Sequence, residues 1–229
     1  MKILAIDTAT EACSVSLGIG GRSIDRYVEL ERGHAEQLLP MVDSVLAEGG
    51  LTLNALDAIA FGRGPGGFTG VRLAASVAQG LAFGAQLGVL PISDLAAVAQ
   101  RVVQLNPSVS RVLVANDARM KEVYWAWFEV ANLNGDCVLT SGVERVSAAA
   151  DVLLPPDPGA WAAAGRGLKA WPALAEHCRA AGAELHVDLL PRASEVLALA
   201  RLAAAAGQIL DPGDALPVYV RDRVAESSL

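Results

Sequence analysis

"AIAFGRGPGGFTGVRLAASVAQGLAF" occupies Ala58 to Phe83, and its reading decides the fold. It begins as a short apolar run, passes through glycines, and ends with Leu73, Val77, Ala78 and Leu81 on one side at helical spacing. That is a strand, a glycine-rich loop and a helix in succession. Five glycines and one proline fall between Phe61 and Gly70. Gly62-Arg63-Gly64-Pro65-Gly66-Gly67 matches the G-x-G-x-x-G pattern of a dinucleotide site. Such a site wants an acid about 20 residues on to hold the ribose, and no Asp or Glu occurs between Asp57 and Asp94. A P-loop wants a lysine, and the loop has none. Two readings remain. The glycines permit positive φ and close backbone packing, or the helix N-terminus, with Arg63, receives an anion.

Outward from this stretch the pattern alternates strand and helix. Lys2–Ile6, Cys13–Ile19 and Ile24–Leu30 read as three strands joined by short turns, an antiparallel meander. His34–Glu48 carries apolar residues at helical spacing, with Pro40 expected to kink it or mark an irregularity. Val89–Ile92 reads as a strand and Asp94–Leu105 as a helix. Asn106-Pro107-Ser108 is a breaker, which places the domain boundary there: residues 1–106 form an N-terminal lobe and 107–229 a C-terminal lobe. Beyond it, "RVLVANDAR" and "EVYWAWFEV" are strands, and "CVLTSGVERV" is a weaker one. A turn at Asn132–Asp136 and a Pro-rich loop at Leu153–Ala160 punctuate the region. Ala160–Ala164 reads as a strand, Leu168–Ala180 and Ser194–Ala206 as helices, and the tail after Pro217 as extended. The last helix and tail are expected to pack back on the first lobe. The order is α/β, and the second half partly echoes the first without a close sequence repeat.

Composition narrows the function classes. The 229 residues are 53% hydrophobic and 19% charged, so the chain can bury a core. The net charge of -7 argues against nucleic-acid binding by the chain alone. Cys13, Cys137 and Cys178 are widely spaced, which reads as free thiols in a reducing compartment. The N-terminal apolar run is too short for a signal peptide, and Val196–Gly207 is too short to span a bilayer. The expected location is the cytoplasm.

Asp7-Thr8-Ala9-Thr10 ends the first strand with a carboxylate and hydroxyls, which suits either phosphate chemistry or a polar hairpin turn. Asn116, Asp117 and Arg119 sit between two strands, as groups facing a cleft or as an Asx turn. His34, His177 and His186 have no metal-ligand spacing, so no metal site is expected. No G-x-S-x-G, catalytic cysteine setting or paired carboxylate is legible.

"MKILAIDTAT…CSVSL", "HAEQLLPMVDSVL", "LDAIAFGRGPGGFTGVRLAASVAQGLAF", "VANDARMKEVYWAWF" and "PVYVRDRVA" together resemble the TsaB family, also called YeaZ. The resemblance covers nearly the whole chain and is strongest from Met1 to Leu105. It implies an α/β, two-lobed actin/sugar-kinase/Hsp70 ATPase-like fold with RNase H-like lobes, mixed sheets flanked by helices. It implies a non-catalytic scaffold and activator that pairs with TsaD and recruits the ATPase TsaE. TsaD transfers threonylcarbamoyl to N6 of the adenine 3′ of the anticodon in tRNAs reading ANN codons. The resemblance further implies tRNA contact only through the complex, no membrane, and no cofactor of the chain's own beyond a nucleotide at a composite site with partners.

TsaD-like proteins carry H-x-x-x-H after the strand matching Val89–Ile92; here "PISDLAAVAQ" has no histidine. The phosphate loops of the fold use D-x-G-T and D-x-G. Here Asp7-Thr8-Ala9-Thr10 and Asp117-Ala118-Arg119 both lack the glycine that admits a phosphate. Asp7, Thr8, Thr10, Asp117 and Arg119 therefore mark a degenerate nucleotide cleft. The family's docking surface lies on the two N-lobe helices. Mapped here, it takes His34, Leu38, Leu39 and Val42 from the first, and Thr69, Arg72, Leu73, Ser76, Val77 and Gly80 from the second. The same patch, unpartnered, is expected to form a homodimer. The alternative is a stand-alone ATPase or small-molecule kinase of the same fold; a protease and a dinucleotide oxidoreductase lack their motifs.

Overall fold

Strand β1 (Lys2–Asp7) sends Leu4 and Ile6 to one face of its sheet and Ile3 and Ala5 to the other, the two-residue period of a strand buried on both sides. The structure, a computed structural model, describes residues 1–133, 136–154 and 159–221. The chain divides into two compact units. Unit 1 comprises Met1–Arg101 and Leu190–Pro217; unit 2 comprises Val102–Leu189 and Val218–Leu229. The division falls inside helix α3 (Asp94–Leu105).

In unit 1, β2 (Ala12–Ile19) and β3 (Arg22–Glu29) extend β1 as an antiparallel meander. Helix α1 (His34–Gly49) follows, then β4 (Ala58–Gly62), helix α2 (Phe68–Ala85) and β5 (Gly88–Ile92). The sheet order is β3-β2-β1-β4-β5, with β4 parallel to β1 and β5 parallel to β4. On one face Leu4, Ile6, Val15, Leu17, Ile59 and Phe61 pack against α1 and α2. On the other, Ile3, Ala5, Ala58 and Ala60 receive helix α6 (Ala193–Ala205) through Ala193, Val196, Leu197 and Ala200. Small residues on this face let α6 lie close, and its first N–H, on Ala193, donates to Ser14 Oγ at 2.9 Å. The free edge of β5 is covered by a two-way bridge, Val89 with Leu210, each N–H donating at 2.9 Å.

Unit 2 carries β6 (Arg111–Asp117), β7 (Glu122–Leu133), β8 (Asp136–Ser141) and β9 (Arg145–Ala148), then β10 (Trp161–Ala164) and β11 (Glu184–His186). Its order is β11-β10-β6-β7-β8, with β9 also on β7. β6, β7 and β8 form an antiparallel meander, and β10 and β11 continue from β6 in parallel. Apart from β9, this is the topology of the first sheet, so the echo lies in connectivity.

Three segments differ from the sequence reading. Leu168–Ala180 is two helices, α4 (Arg166–Ala170) and α5 (Pro172–Ala180), because Pro172 cannot donate and starts a new helix at its first position. "CVLTSGVERV" is two strands, β8 and β9. α1 runs without interruption through Pro40 to Gly49 and ends where Gly50 takes the left-handed conformation, φ 62°. Asn134 and Gly135 of the turn, residues 155–158 of the Pro-rich loop and residues 222–229 of the tail lie outside the described residues. Among the described residues no helix is long and apolar enough to cross a membrane.

Candidate functional site

Parallel pairing of β1, β4 and β5 brings their C-terminal ends to one edge of the sheet. Asp7 ends β1, Gly62 ends β4, and Asp94 opens α3 just after β5. Both carboxyls are fully buried. Asp7 Oδ1 accepts from Ala9 N–H at 2.8 Å, and Asp94 Oδ2 accepts from Gly64 N–H. Asp94 N–H in turn donates to Gly64 O at 3.1 Å. The remaining oxygens, Asp7 Oδ2 and Asp94 Oδ1, have no N–H or hydroxyl donor. They belong to side chains within hydrogen-bonding reach of each other. Ionised carboxylates only accept, so that bond exists only when one of them is protonated. Burial first, then the Asp7 charge, pushes the Asp94 carboxyl well above the usual carboxylate range, against Gly64 N–H and Arg63. Burial raises Asp7 as well, against Ala9 N–H, Asp94 and His34.

The glycine-rich loop is built against this turn. A Cβ on Gly62 would enter the carboxyl pair, meeting Asp94 Oδ1 and lying 3.2 Å from Asp7 Cγ. One on Gly66 would lie 2.5 Å from Ala9 O, and one on Gly70 would strike Thr8 O. Gly64 holds φ 100°. Gly67 N–H donates to Ala9 O at 2.7 Å, and Thr8 Oγ1 donates to Gly70 O at 2.7 Å. The start of α1 is tied to the same turn: His34 Nε2 lies 3.0 Å from Thr10 O, a contact that requires the proton on Nε2. The turn from Asp7 to Ala12 thus anchors the first residues of both α1 and α2.

The residues named for a nucleotide cleft are engaged within their own units. In unit 1 Asp7 and Thr8 bond as above, and Thr10 Oγ1 accepts from Ala12 N–H at 3.2 Å. In unit 2 Asp117 accepts from Arg119 N–H and pairs with Arg119 Nη1, both at 3.0 Å. Arg119, Met120 and Lys121 all take positive φ, 60°, 50° and 65°, at this hairpin. Among the described residues no group of three or more His, Cys, Asp or Glu is placed to hold a metal ion. Cys13 and Cys178 are buried and free, and burial pushes both thiols up to about 11, with the Asp7 charge adding at Cys13. The side chain of Cys137 lies outside the described residues.

The residues named for docking divide by burial. Leu38 and Val42 face the core of unit 1 and are removed from any outer surface. Leu39 is 47% exposed, and His34 is half-buried at the β1–β2 turn. On α2, Thr69, Arg72, Ser76 and Gly80 are exposed, and Leu73 and Val77 are half-buried. The structure adds two aromatics that sequence reading passed over: Phe68, 49% exposed with the Arg72 guanidinium 3.7 Å over its ring, and Phe83, 78% exposed. A Cβ on Gly80 or Gly84 would meet nothing within 4 Å among the described residues. Asp94 was also missed. Its signal, an acid at the C-terminal end of a strand parallel to the one ending in Asp7, emerges only once the strand order is known.

Residues 28–226 match the family model described as TsaD: tRNA N6-adenosine threonylcarbamoyltransferase. The tRNA threonylcarbamoyladenosine biosynthesis protein TsaB of Escherichia coli K12 is 40% identical over all of this chain and 98% of its own length. The chain belongs to the TsaB family. The TsaB protein of Haemophilus influenzae is 52% identical over 55% of this chain and 53% of its own. YeaZ from Pseudomonas aeruginosa superposes with a TM-score of 0.82 at 43% identity, covering 95% of this chain and 99% of that one. As expected of a TsaB member, the chain is an α/β protein with two mixed sheets flanked by helices. The match to a transferase model spans the segment where TsaD-like proteins are expected to carry H-x-x-x-H, and Ser93–Gln100 contains no histidine.

Proposed function

We propose that this chain is the non-catalytic TsaB-type subunit of the machinery that makes threonylcarbamoyladenosine in tRNA. In this reading it docks a TsaD-type transferase through α1 and α2 and recruits a TsaE-type ATPase. It meets tRNA only within that complex, where the partners supply the basic surface its own charge of -7 does not. It works in the cytoplasm, and without its partner it pairs with a second copy through the same patch.

The observation that carries the reading is the outer surface of α2. Exposed Phe68 and Phe83 share this helix with Gly80 and Gly84, whose Cβ positions are open among the described residues. A glycine inside a helix costs about 0.5–1 kcal/mol relative to alanine, and nothing among the described residues uses the space that cost leaves. A surface approaching from outside would. Membership of the TsaB family and the TsaD-type model match support a partner drawn from the same machinery. Engagement of Asp7, Thr8 and Thr10 in the chain's own hydrogen bonds favours a scaffold over a stand-alone ATPase or kinase.

The test is binding of a purified TsaD-type subunit, measured by calorimetry and sedimentation, with the intact chain and with Phe83→Asp. Tight 1:1 binding lost in the variant supports the reading. Equal binding by both moves the interface off α2, and no binding by either refutes docking.

A further inference from the structure

We propose that Asp7 and Asp94 hold one proton between them and that this proton locks the Gly62–Gly67 loop onto the β1–β2 turn, seating the first residues of α1 and α2. The protonated member is Asp94, through Oδ1, and Asp7 Oδ2 receives the hydrogen bond. Each of the other two carboxyl oxygens already accepts from a backbone N–H, so this one contact is what the pair lacks. Gly62 leaves the space in which the two groups meet. The charged or titratable groups facing the pair are Arg63 from the loop, His34 from the start of α1 and the Cys13 thiol of β2; Arg63 and His34 favour ionisation, and burial outweighs them.

Loss of the proton to solvent base leaves two anions in contact and out of water, and their repulsion acts on the loop that Asp94 holds. Asp94 holds Gly64 by a bond in each direction. Releasing Asp94 frees Gly64, and with it the segment whose Gly67 N–H donates to Ala9 O and whose Gly70 O accepts from Thr8 Oγ1. The lock does not depend on the function proposed above. Its consequence, that alkaline pH weakens partner docking by unseating α2, rests on the function proposed above.

The deciding experiment follows side-chain carboxyl NMR of the wild-type chain, labelled at aspartate Cγ, from acid to alkaline pH. Asp7→Asn and Asp94→Asn supply the assignments, and amide exchange at Gly64 is referenced to central amides of β2. Asp7 and Asp94 are expected to titrate as a coupled pair, one proton persisting after exposed aspartates have ionised. Gly64 protection, relative to β2, is expected to fall by up to about tenfold per pH unit as the shared proton is lost. In Asp94→Asn, whose amide can donate permanently to Asp7, the ratio is expected to be flat. Ionisation of every aspartate carboxyl in the range of the exposed ones overturns the lock, and the wild-type titration decides this without assignments even if neither variant folds. The same pH profile at Gly64 in wild type and Asp94→Asn also overturns it. A titration as expected, with TsaD-type binding independent of pH, leaves the lock standing and rejects only its link to docking.

Discussion

Gly70 and Gly80 lie on one helix and are glycine for opposite reasons. A Cβ at Gly70 has the Thr8 carbonyl in its way; at Gly80 it would meet nothing within 4 Å among the described residues. Gly70→Ala is therefore expected to destabilise the chain by roughly 1–3 kcal/mol, as overpacking against backbone does. Gly80→Ala is expected to stabilise the isolated chain by about 0.5–1 kcal/mol through helix propensity while weakening association. Urea denaturation of both variants reads the first pair of effects, and sedimentation the second. Asp94 makes a pH-dependent contribution whose sign is fixed by its environment. Its folded-state value lies above the ordinary 3.8, so its contribution is full below that value and is lost as pH rises through the folded one. Asp94→Asn removes this loss. Denaturation followed as pH rises above the ordinary carboxylate range should show the variant gaining on wild type; a constant difference would contradict the assignment.

Helix α1 illustrates how far an element can be read before its neighbours are known. Its span from His34 was legible from the spacing of Ala35, Leu38, Leu39, Val42, Val45 and Leu46, of which Leu38, Val42, Val45 and Leu46 form the buried stripe. The same spacing cannot say whether a stripe meets the chain's own sheet or a partner, and Leu38 and Val42 belong to the sheet side. Leu38→Ala is expected to cost about 2–5 kcal/mol in stability. Leu39→Ala should stay within about 0.5 kcal/mol and act on association. On α2, Phe68→Asp and Phe83→Asp should leave the thermal midpoint of the isolated chain nearly unchanged and abolish self-association, measured by sedimentation. Concentration-independent monomers in the wild type would contradict the homodimer. Where sequence reading fell short among elements, the cause is local. β11 is three residues, Glu184-Leu185-His186, too short and too polar to show a strand period. The α4–α5 break needed only weight on Pro172.

At the scale of the molecule, the two sheets share one connectivity, a meander continued by two parallel strands. The first sheet was legible because β1, β4 and β5 are short apolar runs, β2 alternates, and glycines mark the β2–β3 turn and the exit of β4. The kinship of the second was visible as element order, since repeats of topology need only hydrophobic period and not residue identity. The site was less legible than the fold. Asp7 stood out by position, but its counterpart Asp94 is separated from it by two crossovers, and pairing across parallel strands has no signature in sequence spacing. The glycine loop resembled a phosphate cradle in composition. In the structure its glycines at 62, 66 and 70 answer to neighbouring atoms of the carboxyl pair and the β1–β2 turn.

The central claim is that the chain serves a transferase without being one. It is tested most directly by threonylcarbamoyl transfer to tRNA in a reconstituted mixture of TsaD-type and TsaE-type proteins, tRNA and threonylcarbamoyl adenylate, with this chain present, absent, or replaced by Phe83→Asp. The account predicts transfer with the wild-type chain, little without it or with the variant, and no ATP turnover by the chain alone. Undiminished transfer in its absence, or clear turnover by the isolated protein, would contradict it.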